Sequence, residues 1–153
     1  LETAGQPLQG WWGHAEPFEF EVDYRPAVGI ARFLTGTANV LSMKSLEAAL
    51  EVFSGVSLEK LREKSVSLTS FFIDLFDDHL APRGFTLASP RASESRGSHV
   101  ALGFAGGKEL VAAMASEGII ADFRPPDLMR FGFAPLYNTH QEVVSLVERL
   151  SSY

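Results

Sequence analysis

The chain has 153 residues, 46% of them apolar, with a formal net charge of −6 and no cysteine. That length suits one domain of about 100–150 residues with a real core, which excludes disorder for most of the chain. The acidic balance and 13 scattered Lys and Arg exclude a nucleic-acid surface, which needs clustered cations; the missing thiols exclude a disulfide framework and a thiolate zinc site.

No apolar run approaches the roughly 20 residues that span a bilayer, and no basic stretch leads into an apolar one at the start of the chain. A soluble, cytoplasmic protein without a signal peptide or membrane partner is expected. Leu1 stands where a start methionine would, and Gly5-Gln6-Pro7 runs almost directly into a tryptophan pair, so the chain reads as a piece of a longer polypeptide.

Residues 1–40 intersperse Trp11, Trp12, Phe18, Phe20, Tyr24 and Phe33 with Pro7, Pro17 and Pro26, and no helical period survives. The stretch is expected to be an extended arm lying on another domain or subunit, because its aromatics and unpaired backbone need cover. From 41 to 56 the spacing of Leu46, Ala49, Leu50 and Phe53 predicts a connecting helix, capped by Ser42 or Ser45 and ended by Gly55. Residues 57–153 read as a small α+β domain. Ser57 starts a helix with an apolar stripe of Leu61, Val66, Leu68, Phe72, Leu75 and Phe76 to about His79, and Pro82 and Gly84 stop it.

Strands are predicted at Phe85–Ala88 and His99–Phe104, joined by a polar stretch at 89–98. A helix follows from about Lys108 to Ser116, closed by Gly118. Ile119–Phe123 and Met129–Phe133 read as two more strands around Pro125-Pro126, and Thr139 caps a last amphipathic helix bearing Val143, Val144, Leu146, Val147 and Leu150. The order indicates helices packed on one face of a small, mostly antiparallel sheet.

Three segments carry possible chemistry. Gly10-Trp11-Trp12-Gly13-His14 offers indole N–H donors on a backbone that can approach a ligand closely, although two tryptophans can equally bury area at a domain contact. Arg32-Phe33-Leu34-Thr35-Gly36-Thr37-Ala38-Asn39 sets hydroxyls around a glycine ahead of a helix, suited to an anion or to ordinary turn and capping chemistry. Arg130, on a strand among apolar neighbours, must find an anion because guanidinium keeps its proton. That anion is either internal, with Asp122 or Asp127 the candidates, or an external carboxylate. Hydrolase, Walker, zincin and dinucleotide motifs are absent, and His14, His79, His99 and His140 are too dispersed for a metal site. His79 and His140 are expected at solvated helix ends, and His99 in a satisfied place within the sheet.

Together, Gly10-Trp11-Trp12-Gly13-His14, Arg32-Phe33-Leu34-Thr35-Gly36-Thr37, Arg96-Gly97-Ser98-His99-Val100-Ala101-Leu102 and Arg130-Phe131-Gly132-Phe133-Ala134-Pro135-Leu136-Tyr137 resemble the kynureninases, in that family's order. The resemblance implies the small C-terminal domain of a type I pyridoxal-phosphate enzyme, preceded by the aromatic arm and helix. It implies Trp11 as a contact to the cofactor phosphate and Thr37 as a second one, in this group often from the neighbouring subunit of a dimer, and Trp12 and Gly36 in the pocket for the substrate ring. Arg130 would hold the substrate carboxylate. The implied reaction is hydrolysis of L-kynurenine to anthranilate and L-alanine in tryptophan catabolism, in a homodimer, with the Gly36-Thr37 pair resembling forms that prefer kynurenine to its 3-hydroxy derivative.

In that family the Schiff-base lysine follows a tyrosine ahead of the tryptophan motif, and the aspartate for the pyridine nitrogen lies further upstream. Neither segment lies within these 153 residues, and Lys44, Lys60, Lys64 and Lys108 sit in helical stretches without such a setting. The chain alone is therefore expected to be inactive and to need the missing N-terminal large domain. The alternative is a binding module that keeps the small-domain fold without chemistry.

Overall fold

The computed structural model describes residues 4–153. The chain divides into two units, one ending at Ser54 and one running from Gly55 to Tyr153.

Before residue 40 the first unit, interrupted by prolines, forms short turns. One covers Trp11–Gly13 and another Gly29–Phe33, with an isolated antiparallel bridge between His14 and Pro26. The arm expected to be extended and irregular carries these short turns between stretches without regular structure; its first three positions lie outside the described residues. Helix α1 spans Val40–Leu50 and is capped by Asn39, whose side chain accepts from the Ser42 N–H at 3.1 Å. Ser42 and Ser45, the predicted caps, lie inside the helix, since Asn39 reaches the first free N–H groups earlier. No residue of α1 is buried: Leu46 and Leu50 remain more than half exposed.

The second unit opens with α2, Leu58–Leu75, capped by Ser57 as predicted. A wider π-type turn, Phe76–Leu80, prolongs it, and Gly84 ends the run at φ 89°, a conformation that favours glycine. The sheet comprises β1 (Thr86–Leu87), β2 (His99–Gly103), β3 (Asp122–Arg124) and β4 (Leu128–Gly132), in the order β1-β2-β4-β3 with every neighbour antiparallel. Helix α3 spans Gly107–Ser116 and α4 spans His140–Ser151. Thr139 and Glu142 form a reciprocal capping box at the start of α4.

Burial explains the layering. Along β2 and β4, Val100, Leu102, Met129 and Phe131 are buried, with Leu68 and Phe72 of α2, Leu110 and Met114 of α3, and Val143, Val147 and Leu150 of α4 in the same core. Phe72 is central, its ring 5.2 Å from that of Phe133 and 5.9 Å from that of Phe131. Because strand side chains alternate, His99, Ala101, Arg130 and Gly132 lie on the opposite face from these core residues. One face of the sheet therefore carries the helices, as the sequence order indicated.

Candidate functional site

The β3–β4 hairpin positions the predicted arginine. Its turn contains the Pro125-Pro126 peptide, which is cis, and its register sets Asp122 directly opposite Arg130. Residues facing each other in this way share a side of the sheet, so the two side chains meet. Arg130 Nε donates to Asp122 Oδ1 at 2.8 Å and Nη2 donates to Oδ2 at 2.5 Å, while Arg124 Nη2 donates to the same Oδ2 at 3.3 Å. Of the two internal candidates Asp122 is the one engaged; the Asp127 backbone carbonyl accepts from Phe104 N–H at 3.1 Å.

The hydrogen bonds from Arg130, with the charges of Arg130 and Arg124, hold the Asp122 carboxyl below the usual aspartate range, and the same carboxylate raises Arg130. Both groups stay charged through neutral pH. The pair remains accessible: the Arg130 side chain is 37% exposed and that of Asp122 46%. They line an open depression of about 380 Å³ together with His99, Ile120, Ala121 and Gly132. His99 is exposed at this edge rather than satisfied within the sheet, because it begins β2 opposite Gly132, which offers no side chain to cover it. His79 is exposed, and His140, also exposed, bonds the Ser67 hydroxyl at 2.9 Å. Among the described residues no cluster of His, Asp or Glu could hold a metal ion.

Trp11, Trp12, Gly36 and Thr37 belong to the unit ending at Ser54. Here close backbone packing sets the arrangement. A Cβ on Gly10 would fall 1.8 Å from the Thr35 carbonyl oxygen, and one on Gly13 would fall 2.3 Å from that of Leu34. Glycine at both positions lets the tryptophan turn lie against residues 34–35, beside Gly36 and Thr37. The backbone approach foreseen for a ligand is taken at these glycines by the chain itself. Trp11 and Trp12 contact each other edge to face at 4.6 Å and stay 47% and 37% exposed, and Thr37 is exposed too. Trp11 also lines a depression of about 390 Å³ with Glu16 and Glu21, whose carboxylates disfavour an anion there; Thr37 is not part of that lining.

A family model described as the kynureninase C-terminal domain matches residues 61–150. The chain belongs to the kynureninase family. Curated kynureninases are similar over nearly its whole length: that of Pseudomonas fluorescens is 43% identical over 95% of the chain, and that of Deinococcus radiodurans 46% over 94%. A Burkholderia mallei kynureninase is 41% identical over 95%. In each case the chain spans 35% of the relative's length, so it corresponds to about a third of such a protein.

Among solved structures, the apo cysteine desulfurase of Thermococcus onnurineus NA1 has a TM-score of 0.72 at 16% identity, covering 95% of this chain and 38% of that one. A C-DES mutant with glycine covalently linked to its PLP cofactor reaches 0.73 at 16% identity, covering 95% and 37%. At such identities the likeness concerns the fold, that of the type I pyridoxal-phosphate enzymes, and agrees with the α+β class read from the sequence.

The engagement of Asp122 by Arg130 was one of two alternatives the sequence left open. The deciding signal is visible in hindsight: Asp122 and Arg130 are equidistant from Pro126, so a tight hairpin turning there pairs them. Arg124 as a second cation on Asp122 was missed, since the expected strand ended at Phe123; in the structure β3 includes Arg124, two residues from Asp122 and on the same face by strand alternation.

Proposed function

We propose that this chain is the C-terminal part of a pyridoxal-phosphate-dependent kynureninase, which hydrolyses L-kynurenine to anthranilate and L-alanine. The observation that carries the proposal is an accessible guanidinium, Arg130, on the sheet face opposite the helix-packed core, in a chain over 40% identical to curated kynureninases. Planar guanidinium matches a carboxylate with two parallel hydrogen bonds, so Arg130 holds the α-carboxylate of the amino-acid substrate and fixes the orientation of its Cα.

The donor set of the first unit fits the cofactor's phosphate in kind. The indole of half-exposed Trp11 and the hydroxyl of exposed Thr37 both carry donors for anionic oxygens. Pyridoxal phosphate, when bound, supplies an electron sink that makes cleavage of bonds to the substrate's α- and β-carbons accessible. Trp12 and Gly36 line the space for the aromatic ring, and Gly36-Thr37 favours kynurenine over 3-hydroxykynurenine. The protein works as a cytoplasmic homodimer in tryptophan catabolism, with the cofactor lysine supplied from the N-terminal two thirds that the relatives possess.

The test is release of fluorescent anthranilate from L-kynurenine by the full-length protein containing this chain. Arg130→Ala should lower kcat/KM by about 10²-fold, the scale of a bidentate charged contact of roughly 3 kcal/mol. Full activity in that variant, or no turnover in the parent protein, would refute the assignment; the latter would favour a binding module.

A further inference from the structure

The ion pair on the sheet face leaves part of Arg130 unused. A guanidinium has five N–H donors arranged as two forks, one at Nε and Nη2 and one at the two Nη atoms. Asp122 takes the first fork with both carboxylate oxygens. Among the described residues, Asp122 is the hydrogen-bond and salt-bridge partner of Arg130, and the end fork of Nη1 and Nη2 is left for another anion. Asp122 itself is also held by Arg124, which donates to the same Oδ2, and by its place in β3 opposite Arg130.

The geometry points to Asp122 as a positioning residue that holds Arg130 by its side fork and presents the end fork to the substrate carboxylate, rather than as a competitor that the substrate displaces. This rests on the reading of Arg130 as the carboxylate-binding group. A long side chain on an open sheet face otherwise samples many rotamers, and each substrate encounter must order it anew. Cross-strand pairing with Asp122 does that ordering in advance. The carboxylate approaching Arg130 then meets a charged group that is already oriented and only partly neutralised.

The experiment is steady-state kinetics on the full-length holoenzyme with L-kynurenine for Asp122→Ala, Asp122→Asn, Arg130→Ala and the Asp122→Ala/Arg130→Ala double variant. Asp122→Ala is expected to raise KM about tenfold, the scale of freeing one long side chain, with kcat within about a factor of two. Asp122→Asn, which keeps one acceptor oxygen in the same place, should fall between. In the Arg130→Ala background, removing Asp122 should change nothing further, whereas an independent structural role would add its effect. A lower KM in Asp122→Ala would mean that the aspartate blocks the site, and an unchanged KM beside a damaged Arg130→Ala would mean that it plays no part; either overturns the inference alone. Unchanged kinetics in Arg130→Ala would overturn the underlying assignment with it.

Discussion

Gly10→Ala tests the close packing on which the first unit depends. Gly10 has φ −132° and ψ 158°, which alanine adopts without strain, so any effect is steric. The added Cβ would meet Thr35 O at 1.8 Å, Thr35 C at 2.4 Å and Thr35 Cα at 2.5 Å, all backbone atoms that no rotamer change can move aside. The two segments must part by more than an ångström to restore contact. This loosens a turn held by Gly13 N–H to Gly10 O at 3.0 Å and Ala27 N–H to Gly13 O at 2.9 Å. Overpacking typically costs about 1–3 kcal/mol, and this clash, relieved by a shift of the turn, falls near the middle of that range. The chain's two tryptophans both sit in this turn, 4.6 Å apart at 67°, so their fluorescence and near-ultraviolet dichroism report on it directly. Gly10→Ala should weaken the coupled indole signal and lower the urea midpoint followed by tryptophan emission by about 1 M, for about 2 kcal/mol and an m-value of about 2 kcal/mol/M. Gly36→Ala, where a Cβ meets nothing within 4 Å, is the control and should leave both unchanged. An unaltered spectrum and midpoint in Gly10→Ala would refute the packing.

Three further outcomes follow from the second unit. Phe72→Ala, at a fully buried position between Phe131 and Phe133, should cost about 3–5 kcal/mol and lower the calorimetric melting temperature by at least about 10 °C; a shift of only a degree or two would contradict its central place. Arg96 is buried and donates to Thr69 Oγ1 at 3.2 Å, Ser70 Oγ at 2.5 Å and the Arg91 carbonyl, so Arg96→Met should cost roughly 2–3 kcal/mol and speed amide exchange across residues 89–98. Unchanged exchange there would show that the guanidinium does not hold the loop. The Glu142 carboxyl is held below the usual glutamate range, first by the Thr139 backbone N–H and then by its hydroxyl. Its folded value is depressed, so its stabilisation is complete above the ordinary glutamate value and disappears as pH falls through the folded one. Glu142→Gln should therefore be less stable than the parent at pH 7 and equal to it in strong acid; a gap persisting in acid melts would refute the capping role.

Much of the second unit was legible in advance because its periodicities are strong. The stripe through Leu68 and Phe72, the Thr139 cap with Glu142 three residues on, and Gly118 at φ 83° all act locally. Boundaries were less legible where two local solutions compete. Asn39 and Ser42 both carry a capping oxygen, and Asn39 wins by coming first. Ile119 and Ile120 look like strand residues, yet β3 begins only at Asp122, where partners on β4 exist, and Ile120 is left 81% exposed.

The sequence by itself determined the elements of the second unit, their order and the kind of group at each candidate position, because propensity, capping and hydrophobic period act over a few residues. It also required that Arg130 meet an anion. Which anion, and with which of its donors, was decided by the register of two strands; that Gly10 and Gly13 serve the chain's own backbone was decided by packing between segments some twenty residues apart. Such contacts depend on where folded elements meet, and local chemistry along the chain does not encode that meeting directly.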